Sequence, residues 1–98
     1  MTYRLIVRPE AEKDLKSSYG WYEKRRHGLG DEFLLAVEAA IKGITHNPFS
    51  FQNVLPNLHR ALVRRFPYGV FYTVKDDLIV VLAVFHGRRN PESWRERG

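Results

Sequence analysis

The sequence predicts an α+β domain in the order β-α-α-β-β-β, with an antiparallel sheet packed on one face by a helical hairpin. Three observations carry this. Two consecutive stretches of helical periodicity follow Pro9 and run to residue 46. A short alternating segment precedes them. Three apolar segments rich in β-branched and aromatic residues, joined by short turns, follow them.

The first strand covers Tyr3 to Arg8, where Tyr3, Leu5 and Val7 alternate with Arg4, Ile6 and Arg8. Pro9 suits a first helical position, which needs no backbone N–H. Glu10, Glu12 and Asp14 fall in the early turns of the first helix, and Lys24, Arg25 and Arg26 in its last, so both ends complement the helix dipole. Its inner face is Ala11, Leu15, Ser18, Tyr19 and Tyr22. Gly28-Leu29-Gly30 breaks it. The second helix is expected from about Asp31 to His46, with Phe33, Val37, Ala40, Ile41 and Ile44 as its apolar stripe. Asn47-Pro48 ends it. The short link makes the two helices antiparallel neighbours.

Residues 47–57 carry Pro48, Asn53, Pro56 and Asn57 and read as a loop. Strands are then expected at Leu58–Phe66, Tyr68–Val74 and Leu78–His86, the last two joined by a turn at Asp76-Asp77. The final strand is apolar at nearly every position. It therefore belongs inside the sheet, covered on both faces, while the rest of the face away from the helices is expected to be partly open. Pro91 to Arg97 reads as a short terminal helix or an ordered tail.

Composition narrows the classes. At 98 residues, with 44% hydrophobic residues, the chain reads as one domain spanning 1–98 with a modest core. There is no cysteine, so neither a disulfide nor a thiolate metal site is available, which fits a reducing cytoplasm. The longest apolar run, Leu78 to Phe85, is far short of the ~20 residues of a membrane-spanning helix, and no signal peptide opens the chain. A soluble, cytoplasmic protein is expected. The formal net charge is +5. Residues 1–57 hold eight Lys/Arg and seven Asp/Glu, and residues 58–98 hold eight and four, so the excess sits in the C-terminal part. Such asymmetry points to a polyanion or an acidic protein as partner.

Three clusters are candidates for chemistry. Arg60, Arg64 and Arg65 lie on the first strand after the helices. Adjacent strand residues point to opposite faces, so either Arg64 or Arg65 is expected on the open face, where a guanidinium can hold phosphate oxygens. Charge guarding an edge strand is the other reading. His86-Gly87-Arg88-Arg89-Asn90-Pro91 follows the buried strand. A histidine there can move a proton and the arginines can stabilise developing charge, or the group is a strand cap and a solvated turn. Trp94, with Arg95 and Arg97, is either a stacking or docking group or a packing residue. His27, His46, His59 and His86 have no ligand spacing, so no metal is expected. No phosphate-binding glycine loop and no nucleophile elbow is present, and no cofactor is expected.

Several segments resemble the RelE/ParE toxin superfamily. Arg8-Pro9-Glu10-Ala11-Glu12-Lys13-Asp14-Leu15 resembles the family's opening, and Gly28-Leu29-Gly30-Asp31-Glu32-Phe33 the inter-helix turn of its ParE-like branch. Arg64-Arg65-Phe66-Pro67-Tyr68-Gly69-Val70-Phe71-Tyr72 and His86-Gly87-Arg88-Arg89-Asn90-Pro91 with Trp94 resemble its later strands and terminus. The resemblance implies the same fold, a toxin of a type II toxin–antitoxin (plasmid stabilisation) system, and a cognate antitoxin as partner. It implies one of two targets. RelE-like members cleave mRNA on the ribosome without metal, and ParE-like members poison DNA gyrase. The ribonuclease branch usually carries arginine where this chain has Gly69, and often a tyrosine near Trp94 and Arg95. Losing a transition-state charge group typically costs ~2.7–4 kcal/mol of barrier. The ParE-like branch is therefore expected, with Arg60, Arg64, Arg65, Arg88, Arg89 and Trp94 as binding residues. The alternative is a RelE-like endoribonuclease using His86, Arg89 and Arg65 as catalytic residues. A third reading is an inactive basic binding module.

Overall fold

The computed structural model describes residues 2–86. Strand β1 (Arg4–Val7) leads into helices α1 (Pro9–Arg25) and α2 (Leu29–His46). Strands β2 (Gln52–Leu55), β3 (Leu58–Leu62), β4 (Tyr68–Lys75) and β5 (Leu78–His86) follow.

Both helices form where periodicity places them. α1 starts on Pro9 with Glu10 and Glu12 in its first turn and ends on Lys24 and Arg25. It ends three residues before Gly28, whose φ of 90° lies in the left-handed region that glycine tolerates without a Cβ penalty. α2 has no side-chain cap of its own. Glu23 of α1 does this work instead: Gly28 N–H donates to its Oε2 (3.0 Å) and Gly30 N–H to its Oε1 (2.9 Å). Two of the otherwise orphaned donors at the start of α2 are thereby satisfied. Gly30 is part of α2 rather than the break, and a Cβ there would press on the Tyr19 ring at 2.8 Å.

The sheet has five strands in the order β1-β5-β4-β3-β2. It is mixed, not purely antiparallel. β1 pairs parallel with β5, Arg4 beside Leu78 through Val7 beside Val81. The helical hairpin carries the chain from β1 to β2 at the opposite edge of the sheet, and β1 satisfies the second edge of β5. β5 therefore lies between two strands, as its apolar run requires. β2 is a further strand inside the expected loop. Gln52 and Asn53 pair with Arg60 and His59, and the register shifts before Leu55. Asn57 takes a left-handed conformation (φ 59°) in the turn between β2 and β3.

The core between helices and sheet is aromatic at one end. Tyr22 and Phe33 pack at 5.1 Å, and Phe66 and Tyr68 close edge-on around them. At the other end Tyr72 is fully buried and donates to the carbonyl of Pro48 at 2.6 Å. The ring of His59 stacks on it at 5.1 Å.

The face away from the helices is less open than the sequence suggests. Leu58, Phe71, Leu82, Ala83 and Phe85 form a second buried cluster there. A register shift in the β4–β5 ladder, where Phe71 faces Ala83 but Tyr72 faces Val81, leaves Leu82 as an extra residue. The bulge turns Leu82 and Ala83 to the same side and enlarges this cluster. Beyond Val81, β5 continues past the end of β1. There Val84 N–H donates to Asp14 Oδ2 of α1 at 3.0 Å, so a helix side chain takes the place of a strand partner.

Candidate functional site

Arg60 stands on β3 opposite Phe71 of β4, so it belongs to the face away from the helices. The neighbouring pair in this ladder is Leu62 and Gly69. The stem of Arg60 lies across Gly69: a Cβ on that glycine would stand 2.9 Å from Arg60 Cγ and 3.2 Å from Cδ. The space above residue 69 is therefore filled by the neighbouring arginine. Its guanidinium is directed to β2, where Nη2 donates to Gln52 Oε1 at 2.7 Å.

Arg64 and Arg65 are not on a strand, which corrects the expectation that one of them faces the open side of the sheet. β3 ends at Leu62, and residues 63–67 form a turn closed by Val63 N–H donating to the Tyr68 carbonyl at 2.8 Å. Arg65 sits in the left-handed region at φ 68°. Strand alternation does not apply in such a turn. Both arginines are exposed, and Arg65 reaches back to Glu32 of α2 at 3.8 Å. Glu32 also holds Arg26 at 2.8 Å, so the turn, α2 and the end of α1 meet through one carboxylate.

His86 ends β5 beside Tyr68, with the two rings 5.8 Å apart. Alternation places both on the helix side, opposite to Arg60. At the end of the sheet the two faces meet, and a cavity of about 330 Å³ is bordered by Arg60, Leu62, Pro67, Tyr68 and His86. The structure thus brings Arg60 and His86 to one cavity, while Arg65 is drawn to α2. Arg88, Arg89 and Trp94 lie outside the described residues. Among the described residues no group of three His, Asp or Glu side chains is placed to hold a metal ion, and no helix is long and apolar enough to cross a membrane.

Two features near the site escape sequence reasoning. Glu23 joins the helices, and its carboxyl is held below the usual range chiefly by the Gly28 N–H, with Gly30 N–H, His27 and Arg26 adding to the effect against partial desolvation. Trp21 is half exposed, with the Arg25 guanidinium 4.0 Å from its ring centroid. A Glu five and seven residues before the glycines of a Gly-x-Gly turn was a legible signal for the first. The i, i+4 spacing of Trp21 and Arg25 was one for the second.

The family model for the ParE toxin of the type II toxin–antitoxin system parDE matches residues 5–91. The chain belongs to the ParE toxin family. Two Mycobacterium tuberculosis relatives, each named Toxin ParE2, from strains CDC 1551/Oshkosh and ATCC 25618/H37Rv, are 33% identical over 94 residues. The match covers 95% of this chain and 90% of each relative. Among solved structures, a chain of the chromosomal ParDE system of P. aeruginosa superposes with a TM-score of 0.77 at 16% identity, covering 87% of this chain and 96% of that one. The E. coli toxin RelE, an arginine double mutant in the free state, superposes with a TM-score of 0.70 at 16% identity, covering 99% and 94%. The ParE assignment thus rests on sequence over nearly the whole chain. The RelE likeness is one of fold.

Proposed function

We propose that this ParE-family toxin arrests growth by binding DNA gyrase, not by cutting RNA. The carrying observation is the crossing of Arg60 over Gly69. Where the ribonuclease branch places an arginine, this chain has no side chain, and the stem of Arg60 occupies the space with its guanidinium held by Gln52. Without a preorganised cation at that point, a developing phosphorane lacks its principal stabiliser. Arg60, Arg64 and Arg65, together with Arg88, Arg89 and Trp94, are proposed as the target-binding residues. A cognate antitoxin with an acidic segment is the expected partner, and its affinity should fall as salt rises. The test is a supercoiling assay with purified gyrase. Supercoiling is expected to stop on addition of the toxin and resume with antitoxin. A toxin that stops growth while gyrase stays active overturns the reading.

A second reading, a ribosome-dependent endoribonuclease, is favoured by one observation. Arg60 and His86 border the same cavity, so a charge stabiliser and a proton-transfer group lie on one recess. Programmed ribosomes incubated with the toxin would then yield cut message, and the cuts would vanish in His86→Ala.

A further inference from the structure

Two adjoining cavities of about 460 and 510 Å³ form one groove along α1. Both are bordered by Ser17, Ser18, Tyr68 and His86. Trp21 stands in the first and Lys13 in the second. Lys13, Ser17, Trp21 and Arg25 recur every four residues, so they share one face of the helix, and Lys24 joins them three residues after Trp21. All five are exposed. The stripe from Lys13 to Arg25 spans ~18 Å. Glu23 is turned to Gly28 and Gly30, whereas Asp14 borders the second cavity, where its Oδ2 accepts from Val84 N–H, and Glu12 adjoins Lys13 in sequence. The result is a helix face that is cationic at both ends and aromatic between.

We propose that this groove binds an unpaired stretch of DNA, with a phosphate on Lys13, a base stacked against Trp21 in place of the Arg25 guanidinium that lies 4.0 Å from its ring centroid, and further phosphates on Lys24 and the displaced Arg25 beyond the groove's end. Alternation of cations with a ring-lined cleft matches the alternation of phosphate and base along a single strand. An acidic peptide would use the cations but not need the flat cleft walls formed by Trp21, Tyr22, Tyr68 and His86. The choice of DNA rests on the proposed action at gyrase, where DNA is at hand. The groove is bordered by α1, while the crossing that carries that proposal lies on the opposite face of the sheet.

The test is fluorescence anisotropy of a labelled oligo-dT of about 12 nucleotides, within the usual range for single-strand sites, titrated with the intact toxin at low and moderate salt. Binding is expected to weaken about tenfold in Trp21→Ala, through the lost stack. It should weaken further in Lys13→Glu/Arg25→Glu, with a shallower salt dependence. The charge-matched variant Arg4→Glu/Lys75→Glu, at the opposite end of the sheet, should bind like the unmodified chain. Equal loss in that variant, indifference to both groove variants, or tighter binding of oligo-U RNA or an acidic peptide would overturn the proposal. The supercoiling assay, run in parallel, separates the two ideas: groove-dependent oligo binding without gyrase inhibition removes the target and keeps the groove.

Discussion

The hydroxyl of Tyr72 donates a 2.6 Å hydrogen bond to the carbonyl oxygen of Pro48, 24 residues earlier in the chain. This bond ties the middle of β4 to the point where α2 ends. Both groups are buried, so neither has water as a substitute. Tyr72→Phe keeps the ring and strands the carbonyl. A loss of ~1–3 kcal/mol in unfolding free energy is expected from denaturant titration, and an unchanged midpoint would show that the bond carries no net stability.

The same tyrosine makes stability sensitive to alkali. Burial raises its pKa from 10.0 to about 12. A group whose folded pKa lies above its unfolded value stabilises fully below the unfolded value. That contribution is lost as pH climbs through the folded one. Thermal stability should therefore decline between pH 10 and pH 12, and the decline should be shallower in Tyr72→Phe.

Glu23 gives the opposite sign on the acid side. Its carboxyl is held low chiefly by the Gly28 N–H. Its contribution is present above the ordinary carboxylate value and is lost as pH falls through the lowered folded value. Glu23→Gln should be less stable than the unmodified chain at neutral pH, and the two should converge on acidification. Parallel curves down to low pH would count against this.

Gly69 and Arg60 should be coupled. Gly69→Ala forces the arginine stem aside and disturbs its bond to Gln52. The cost is expected at ~1–3 kcal/mol, as for other overpacked sites. In an Arg60→Ala background the same change should be nearly neutral. A double-mutant cycle with coupling below ~0.5 kcal/mol would contradict the close approach.

His86→Ala separates the two functional readings. If the toxin acts on gyrase, supercoiling inhibition should persist in this variant, and message on ribosomes should stay intact with either protein. Cleavage by the unmodified toxin that is lost in the variant would reverse the preference.

Much of this architecture was legible in the residues, for identifiable reasons. Pro9, the stripe from Phe33 to Ile44 and Asn47-Pro48 mark the helices, because each acts locally on the backbone. The apolar run of β5 announced an interior strand. What escaped was decided between distant segments. β2 is four residues long and flanked by turn formers, and pairing with β3 makes it a strand. Nothing in Arg4–Val7 says whether it runs parallel or antiparallel to its neighbour. Arg64 and Arg65 look like strand residues until the closure of Val63 on Tyr68 makes them a turn. The Arg60–Gly69 crossing combines a missing side chain with a register that only the folded sheet supplies.

The pairing of β1 with β5 also bears on when this toxin becomes a toxin. Arg4 and Leu78 lie side by side in the sheet, though 74 residues separate them along the chain. During synthesis β1 emerges early and waits for β5 before its hydrogen bonds can close. Until then the helical hairpin has no complete sheet to cover. An antitoxin that recognises the finished sheet therefore has its full surface to bind only once Val81 has joined Val7.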